Sequence, residues 1–388
     1  MHVLIAPDCF TGSLSATQAA EAMAEGWRRS APEDDITLVP LSDGGPGFLD
    51  VLSKALGGTT VSVTVVDPLG RPVPSAILMV EREGERTAYI ESAQACGLHL
   101  LAEDERNPMV TTTYGVGQLM EAALARGATR IIVGLGGSGT NDGGAGLLAA
   151  LGAGDLEALS AGGAKLKDLG PDDLPGLGAV RERLKPTEII LATDVDSPLL
   201  GFQGASAVFA PQKGATPQMA QELELALGHF TEVVRQVVHF GTDLLTGKEI
   251  RPEREAGAGA AGGLGYGLLL LGGHRVSGVL AVLEAVDFDD LVQAADLVVT
   301  GEGSFDWQSL RGKVVAGVAQ TALARAKPTV VIAGQSFVGR REAMTLGVSG
   351  TYAVAANPGQ VIAAMADPAG TLSARTARVA RTWSPSHT

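Results

Sequence analysis

Short apolar runs alternate with stretches of helical period along the N-terminal part of the chain. Val3, Leu4, Ile5 and Ala6 predict a buried strand over 3–6, followed by a polar loop over 7–13. Ser15 and Gln18 have the spacing of a capping box. Ala19, Met23 and Trp27 then supply one apolar helix face, Arg28 and Arg29 suit its C-terminal end, and Pro32 closes it. A second apolar run predicts a strand over 36–41. It enters the loop Ser42-Asp43-Gly44-Gly45-Pro46-Gly47, and a helix follows up to Gly57-Gly58. Strand, loop, helix repeated twice is the order of a parallel, layered α/β domain.

The pattern changes after Val66. Asp67-Pro68-Leu69-Gly70 reads as a turn, and 76–80 and 86–90 read as hairpin strands around Gly84. A helix near 117–126 precedes a strand over 130–135, and a further buried strand spans 188–192. Residues 256–273 carry no charge, but their many glycines suit a buried helix opened by a glycine-rich loop better than a membrane span. From about Asp287 the first pattern returns: strand 297–300, helix 314–324, strand 330–333, then a short helix and a frayed tail. The expected organisation is one domain built from 1–66 and 287–388, with a second α/β domain, 67–286, inserted into it.

Composition narrows the function. The 388 residues are 45% hydrophobic and 19% charged, enough for a proper core. A net charge of −14 disfavours nucleic acid and anionic membranes as partners. Two cysteines, Cys9 and Cys96, form no disulfide framework and no zinc spacing, and the six histidines form no metal spacing. The N-terminus lacks the pattern of a signal peptide, so a cytoplasmic protein is expected.

Several predicted strands end in a polar, glycine-rich loop with an acid: Asp8, Asp43, Asn141-Asp142, Asp194 with Asp196, and Glu302 with Asp306. Ligands of open α/β sheets bind outside the carboxyl ends of the strands. Backbone N–H groups there suit phosphates, and carboxylates suit Mg²⁺ or a hydroxyl proton, which together serve phosphoryl transfer. Asp194 and Asp196 share a face if the strand continues and separate if the chain turns at Val195. On a shared face they need a cation or a proton between them. There is no Walker motif. GxGxxG occurs twice, at Gly134/Gly136/Gly139 and Gly257/Gly259/Gly262, a weak pattern in a chain with 52 glycines.

Seven strings recur in order over nearly the whole chain: APDCFTGSLSA (6–16), LSDGGPG (41–47), GLGGSGTNDGGAG (134–146), TDVDSPLLG (193–201), FAPQKGATP (209–217), GAGAAGGLG (257–265) and TGEGSFDWQSLRGK (300–313). Together they resemble the bacterial glycerate kinase family. The resemblance implies a flavodoxin-like parallel-sheet domain with an inserted domain of restriction-endonuclease-like topology. It also implies ATP-dependent, Mg²⁺-assisted phosphorylation of D-glycerate to 2- or 3-phosphoglycerate in an inter-domain cleft. Thr11 stands where the family usually has lysine, Pro46 where it has an acid, Ser304 where it has a basic residue, and Cys9 where it has serine.

The expected catalytic acids are Asp194, Asp196, Asp8 and Asp43, with Asp194 and Asp196 also the candidate metal ligands. Candidate phosphate- and substrate-binding residues are Ser13, Gly44, Gly45, Gly136, Gly137, Ser138, Thr140, Asn141, Asp142, Lys213, Glu302, Asp306 and Lys313, with Arg311 beside the last. Lys213 is expected to hold the anionic substrate. The expected partners are glycerate and ATP, in a monomer or homodimer. Three alternatives are a kinase for a related hydroxy acid, a nicotinamide-dependent dehydrogenase using 134–139, and a non-catalytic binding relative.

Overall fold

The computed structural model describes residues 1–10, 12–242 and 247–385. In chain order the strands are β1 (His2–Ile5), β2 (Asp35–Leu38), β3 (Thr59–Val66), β4 (Pro72–Arg82), β5 (Glu85–Glu91), β6 (Arg130–Gly134), β7 (Glu188–Ala192), β8 (His274–Val276), β9 (Leu297–Thr300), β10 (Ser304–Phe305), β11 (Thr329–Ala333), β12 (Gln335–Ser336) and β13 (Val348–Ala353). They belong to two compact units. The first comprises Met1–Asp43, Asp50–Leu56 and Val279–Thr388, and the second Gly44–Leu49 and Gly57–Gly278.

The first unit holds a five-stranded sheet in the order β13-β11-β9-β1-β2, parallel throughout. Chain order reverses between β9 and β1, so the loops that follow these two strands leave the same sheet edge at a topological switch point. The helix Ala16–Ser30 begins with the Ser15/Gln18 capping box, both of whose bonds are formed, and it buries Ala19, Met23 and Trp27. Residue Gly26 lets the C-terminal helix Pro368–Trp383 pack closely, since a Cβ there would lie 2.1 Å from the Ser373 carbonyl oxygen. That helix runs for 16 residues, longer than the short helix expected.

The second unit holds a six-stranded sheet, β3-β4-β5-β6-β7-β8. Its first three strands are antiparallel and the rest parallel. The boundary expected at residue 66 therefore moves: β3 pairs with β4 along its whole length, from Thr59↔Met79 to Val66↔Pro72, and belongs to the second unit. Asp67 to Gly70 is the turn of this hairpin, not a border between domains. The other boundary moves from 286 to 278, because the helix Gly278–Ala285 groups almost wholly with the first unit. The uncharged stretch forms a buried helix, Ala260–Leu270. Just after its first residue the chain kinks: Ala261, Gly262 and Gly263 are left-handed with φ of 51°, 68° and 88°. No helix among the described residues is long and apolar enough to cross a membrane.

Candidate active site

In the first unit, adjacent strand ends bring acids together. The Asp8 backbone N–H donates to the Gly301 carbonyl over 2.8 Å, joining the loop after β1 to the loop after β9. The Asp8 carboxylate accepts from the Cys9 N–H at 2.7 Å. Burial, reinforced by the negative charges of Asp43 and Glu302, pushes the Asp8 carboxyl up to about 8, against the Cys9 bond and the positive charge of Lys313. Glu302 is 5% exposed, and its Oε1 has no hydrogen-bond partner. Burial raises its carboxyl to about 7, with Asp306 and Asp43 adding and Ser309 and Lys313 opposing. Asp43 lies half-buried between Ser42 and Gly44.

Other first-unit candidates hold the loops in shape. Asp306 accepts from the Gln308 N–H at 2.8 Å, and Ser309 Oγ accepts from the Asp306 N–H at 3.0 Å. The Ser13 hydroxyl donates to the Phe10 carbonyl at 2.8 Å. Lys313 sits at the N-terminal cap position of the helix Val314–Ala324. Thr11 and the Arg311 side chain lie outside the described residues, as does His387.

In the second unit the glycine-rich loop after β6 is interior. Gly44 and Gly45 lie against it. A Cβ on Gly134 would come 2.5 Å from the Gly44 carbonyl oxygen, one on Gly136 would come 2.6 Å from Gly45 Cα, and one on Gly137 would come 2.9 Å from Pro46 Cγ. These glycines permit two backbones to touch. The departure at Pro46 places its ring on Gly137.

Thr140, Asn141 and Asp142 have no solvent exposure, and Ser138 has little. Asp142 accepts from the Thr113 N–H at 2.7 Å, the Thr113 hydroxyl at 2.8 Å, and the Gly144 and Gly146 N–H groups at 3.1 and 3.2 Å. Burial outweighs these four bonds and raises its carboxyl. The N–H groups that open the helix Ala145–Ala150 are thus taken by the chain's own carboxylate, not left for a cofactor phosphate. Asn141 Nδ2 donates to Ser206 Oγ at 3.0 Å.

Lys213, expected as an open anion clamp, is 1% exposed. Its ammonium donates to the Thr140 carbonyl at 2.6 Å and to Ser138 Oγ at 2.9 Å. Burial lowers its pKa to about 8, partly offset by Cys96 and Asp142. It ties the loop down from beneath. Burial likewise pushes the Cys96 thiol up to about 12, so this cysteine is inert.

Asp194 and Asp196 separate onto different partners, because β7 ends at Ala192. Ser277 Oγ donates to Asp194 at 2.5 Å. Arg275 Nη2 pairs with Asp196 at 2.6 Å, and the Asp196 side chain is 79% exposed. Arg275 Nε also donates to the Thr193 carbonyl at 3.1 Å. Sequence reasoning missed Thr113, Ser277, Arg275 and Glu91, whose carboxylate accepts from the Gly47 and Leu49 N–H groups at 3.1 and 3.2 Å. Only Glu91, an acid at the end of an apolar strand, carried a signal of the kind already used.

No three histidine, cysteine, aspartate or glutamate side chains among the described residues are grouped so as to hold a metal ion. A divalent cation would need ligands beyond the protein. The unpartnered Glu302 Oε1 and the mutual repulsion of Asp8, Asp43 and Glu302 fit a cation that arrives with phosphate oxygens and waters of its own.

The model of the glycerate kinase family matches residues 3–384. The chain belongs to the glycerate kinase family. It is an enzyme of that class, a phosphotransferase with an alcohol group as acceptor. A glycerate kinase of Bacillus subtilis is 44% identical over 339 residues, 86% of this chain and 85% of the relative. A protein of Escherichia coli named glycerate 2-kinase is 41% identical over 339 residues, with the same shares covered. The crystal structure of a putative glycerate kinase 2 from Salmonella typhimurium superposes with a TM-score of 0.74 at 36% identity, over 98% of each chain. An α/β fold with mainly parallel sheets is common to this family and this chain. Family membership replaces the dehydrogenase alternative.

Proposed function

We propose that the enzyme transfers the terminal phosphoryl group of ATP to a hydroxyl of D-glycerate, and that Asp8 accepts the hydroxyl proton. The observation that carries the assignment of Asp8 is its position and pKa: a desolvated carboxyl held near 8, at the switch point of a parallel sheet, beside two further acids. A base poised near the working pH combines the right protonation state with driving force for proton transfer. Glu302 and Asp43 are the groups we assign to Mg²⁺ bound with the nucleotide. When bound, that ion neutralises charge on the phosphates. Lys313, whose positive charge acts on both Asp8 and Glu302, is assigned to phosphate. Asp194, expected as a catalytic acid, is assigned instead to accept a hydrogen bond from a substrate hydroxyl. Thr140, Asn141, Asp142 and Lys213 are read as the support that fixes the shape of the loop after β6.

The finer names of the two units, flavodoxin-like and restriction-endonuclease-like, belong to this reading. The all-parallel order of the first sheet and the mixed order of the second support it. The name of the Escherichia coli relative supports the 2-hydroxyl as acceptor and 2-phosphoglycerate as product. The test is incubation with ATP, Mg²⁺ and a panel of small hydroxy acids, with phosphorus NMR of the products. A resonance of 2-phosphoglycerate formed from D-glycerate in preference to the other acids is expected. Turnover of a different acid with none of D-glycerate would overturn the substrate, and a 3-phosphoglycerate signal would overturn the regiochemistry.

A further inference from the structure

Away from the acids, the first unit contains a cavity of about 270 Å³ with the opposite chemistry. Its floor is the end of β13 at Ala353 and the next residue, Val354. One wall is the helix Pro358–Ala366 and the other the helix Pro368–Trp383. The polar groups that line it are Gln360, Thr371, Arg375 and Arg378, and no acidic side chain does. In a chain with a net charge of −14, a cavity lined by two arginines and no carboxylate stands out.

The donors are not fully used. Arg375 Nε is buried with no hydrogen-bond partner. Its guanidinium lies 5.6 Å from the Tyr352 ring centroid, and the Tyr352 hydroxyl accepts from Trp383 Nε1 at 2.9 Å, which holds the ring in place. Gln360 Oε1 is spent on the Ala356 N–H at 2.7 Å, which leaves its amide N–H groups as the free end. Burial, followed by the charge of Arg378, holds Arg375 below the usual arginine range. An anion placed between the two would relieve both effects. Not one residue of the helix Pro358–Ala366 is buried, and Ile362 is 74% exposed, so this wall rests on the unit with little packing of its own.

We propose that this cavity binds a small organic oxyanion, a phosphate monoester or a carboxylate, whose oxygens bridge Arg375, Arg378 and the Gln360 amide. The planar fork of arginine matches either group with two parallel hydrogen bonds. The volume lies just below the roughly 300–1,000 Å³ of sites that hold drug-sized ligands, and so admits a small metabolite but not a nucleotide. The alanine floor takes its carbon body. Binding would fix the loosely packed wall against the helix Pro368–Trp383.

The test is calorimetric titration of the whole protein, at constant ionic strength, with glycerol 3-phosphate and separately with malonate. The same titrations are made on Arg375→Gln and Arg378→Gln. Arg378 is exposed, so its variant keeps the fold even if loss of the partly buried Arg375 does not. Each variant should weaken binding of the preferred anion about tenfold or more, the worth of a hydrogen bond to a charged group. Weakening of the phosphate alone marks a phosphate monoester site, and weakening of malonate alone a carboxylate site. The indole N–H resonance of Trp383 should shift on titration of the wild type, and in Arg378→Gln the same shift should need about tenfold more anion or more. Affinities unchanged in Arg378→Gln, or no saturable binding of either anion to the wild type, would overturn the proposal.

Discussion

The Asp8 backbone N–H donates to the Gly301 carbonyl over 2.8 Å, and this bond fixes the loop after β1 beside the loop that carries Glu302. Two acids, Asp8 half-buried and Glu302 buried, are thereby held within reach of each other's charge. Each keeps its proton to a higher pH than it would in the unfolded chain. For Glu302 the carboxyl rises from 4.5 to about 7 on folding. Between these values the folded state binds more protons, so its share of stability falls as pH rises from about 4.5 to 7 and stays lost above. Glu302→Gln should therefore raise stability at pH 8, by about 3 kcal/mol at most. Urea unfolding at pH 5 and pH 8 checks this: a gain at pH 8 that shrinks at pH 5 is expected.

The same coupling shapes the rate. The acids titrate as a group, so an acidic limb in kcat/KM belongs to the cluster and not to one residue. With Asp8 as base, kcat/KM should rise with pH through a midpoint near 8 and level off about one unit above it. Removing the Glu302 charge should move that limb to lower pH. A pH profile of wild type and Glu302→Gln with the same midpoint would separate Asp8 from the rate.

Lys213 supports a different prediction. Its ammonium holds the Thr140 carbonyl and Ser138 Oγ inside the second unit. Lys213→Ala leaves an unpaired buried carbonyl and a void, and should cost about 2–4 kcal/mol of stability. Thermal melting should show this drop. If the variant melts like the wild type and only KM rises, the lysine binds ligand after all.

The loop after β7 separates its two acids. Asp194 is half-buried on Ser277, whereas Asp196 is exposed in an ion pair with Arg275. Exposed ion pairs contribute little. Asp196→Asn should keep kcat within about threefold of wild type, a change of well under 1 kcal/mol. Asp194→Asn should lower kcat about a hundredfold, the range for a positioned group. Steady-state kinetics of the two variants, with circular dichroism to confirm folding, reads the difference.

Much of this was legible in the sequence. The capping box at Ser15 and Gln18, the strand over 188–192 and the acids at strand ends each depend on short-range rules of period and punctuation. What was not legible depends on partners far along the chain. β3 alternates Val61, Val63 and Val65 with polar residues, but the turn at Asp67–Gly70 has the same local signature as a domain border. Nothing near Lys213 in sequence shows that Thr140 lies above it. Nothing near Gly44 shows that the β6 loop lies against it, so the close packing these glycines permit does not show in the sequence. The spacing of Asp194 and Asp196 left their faces open until Ser277 and Arg275 took one each.

The central claim is that Asp8 carries the proton of the accepting hydroxyl. Asp8→Asn keeps the size of the side chain and an oxygen for the Cys9 N–H, and it removes a carboxyl that burial disfavours in charged form. Measured at pH 8 with ATP, Mg²⁺ and D-glycerate, its kcat should fall about a hundredfold or more, while its melting temperature matches or exceeds that of the wild type. Near-native kcat in a folded Asp8→Asn protein would contradict the account.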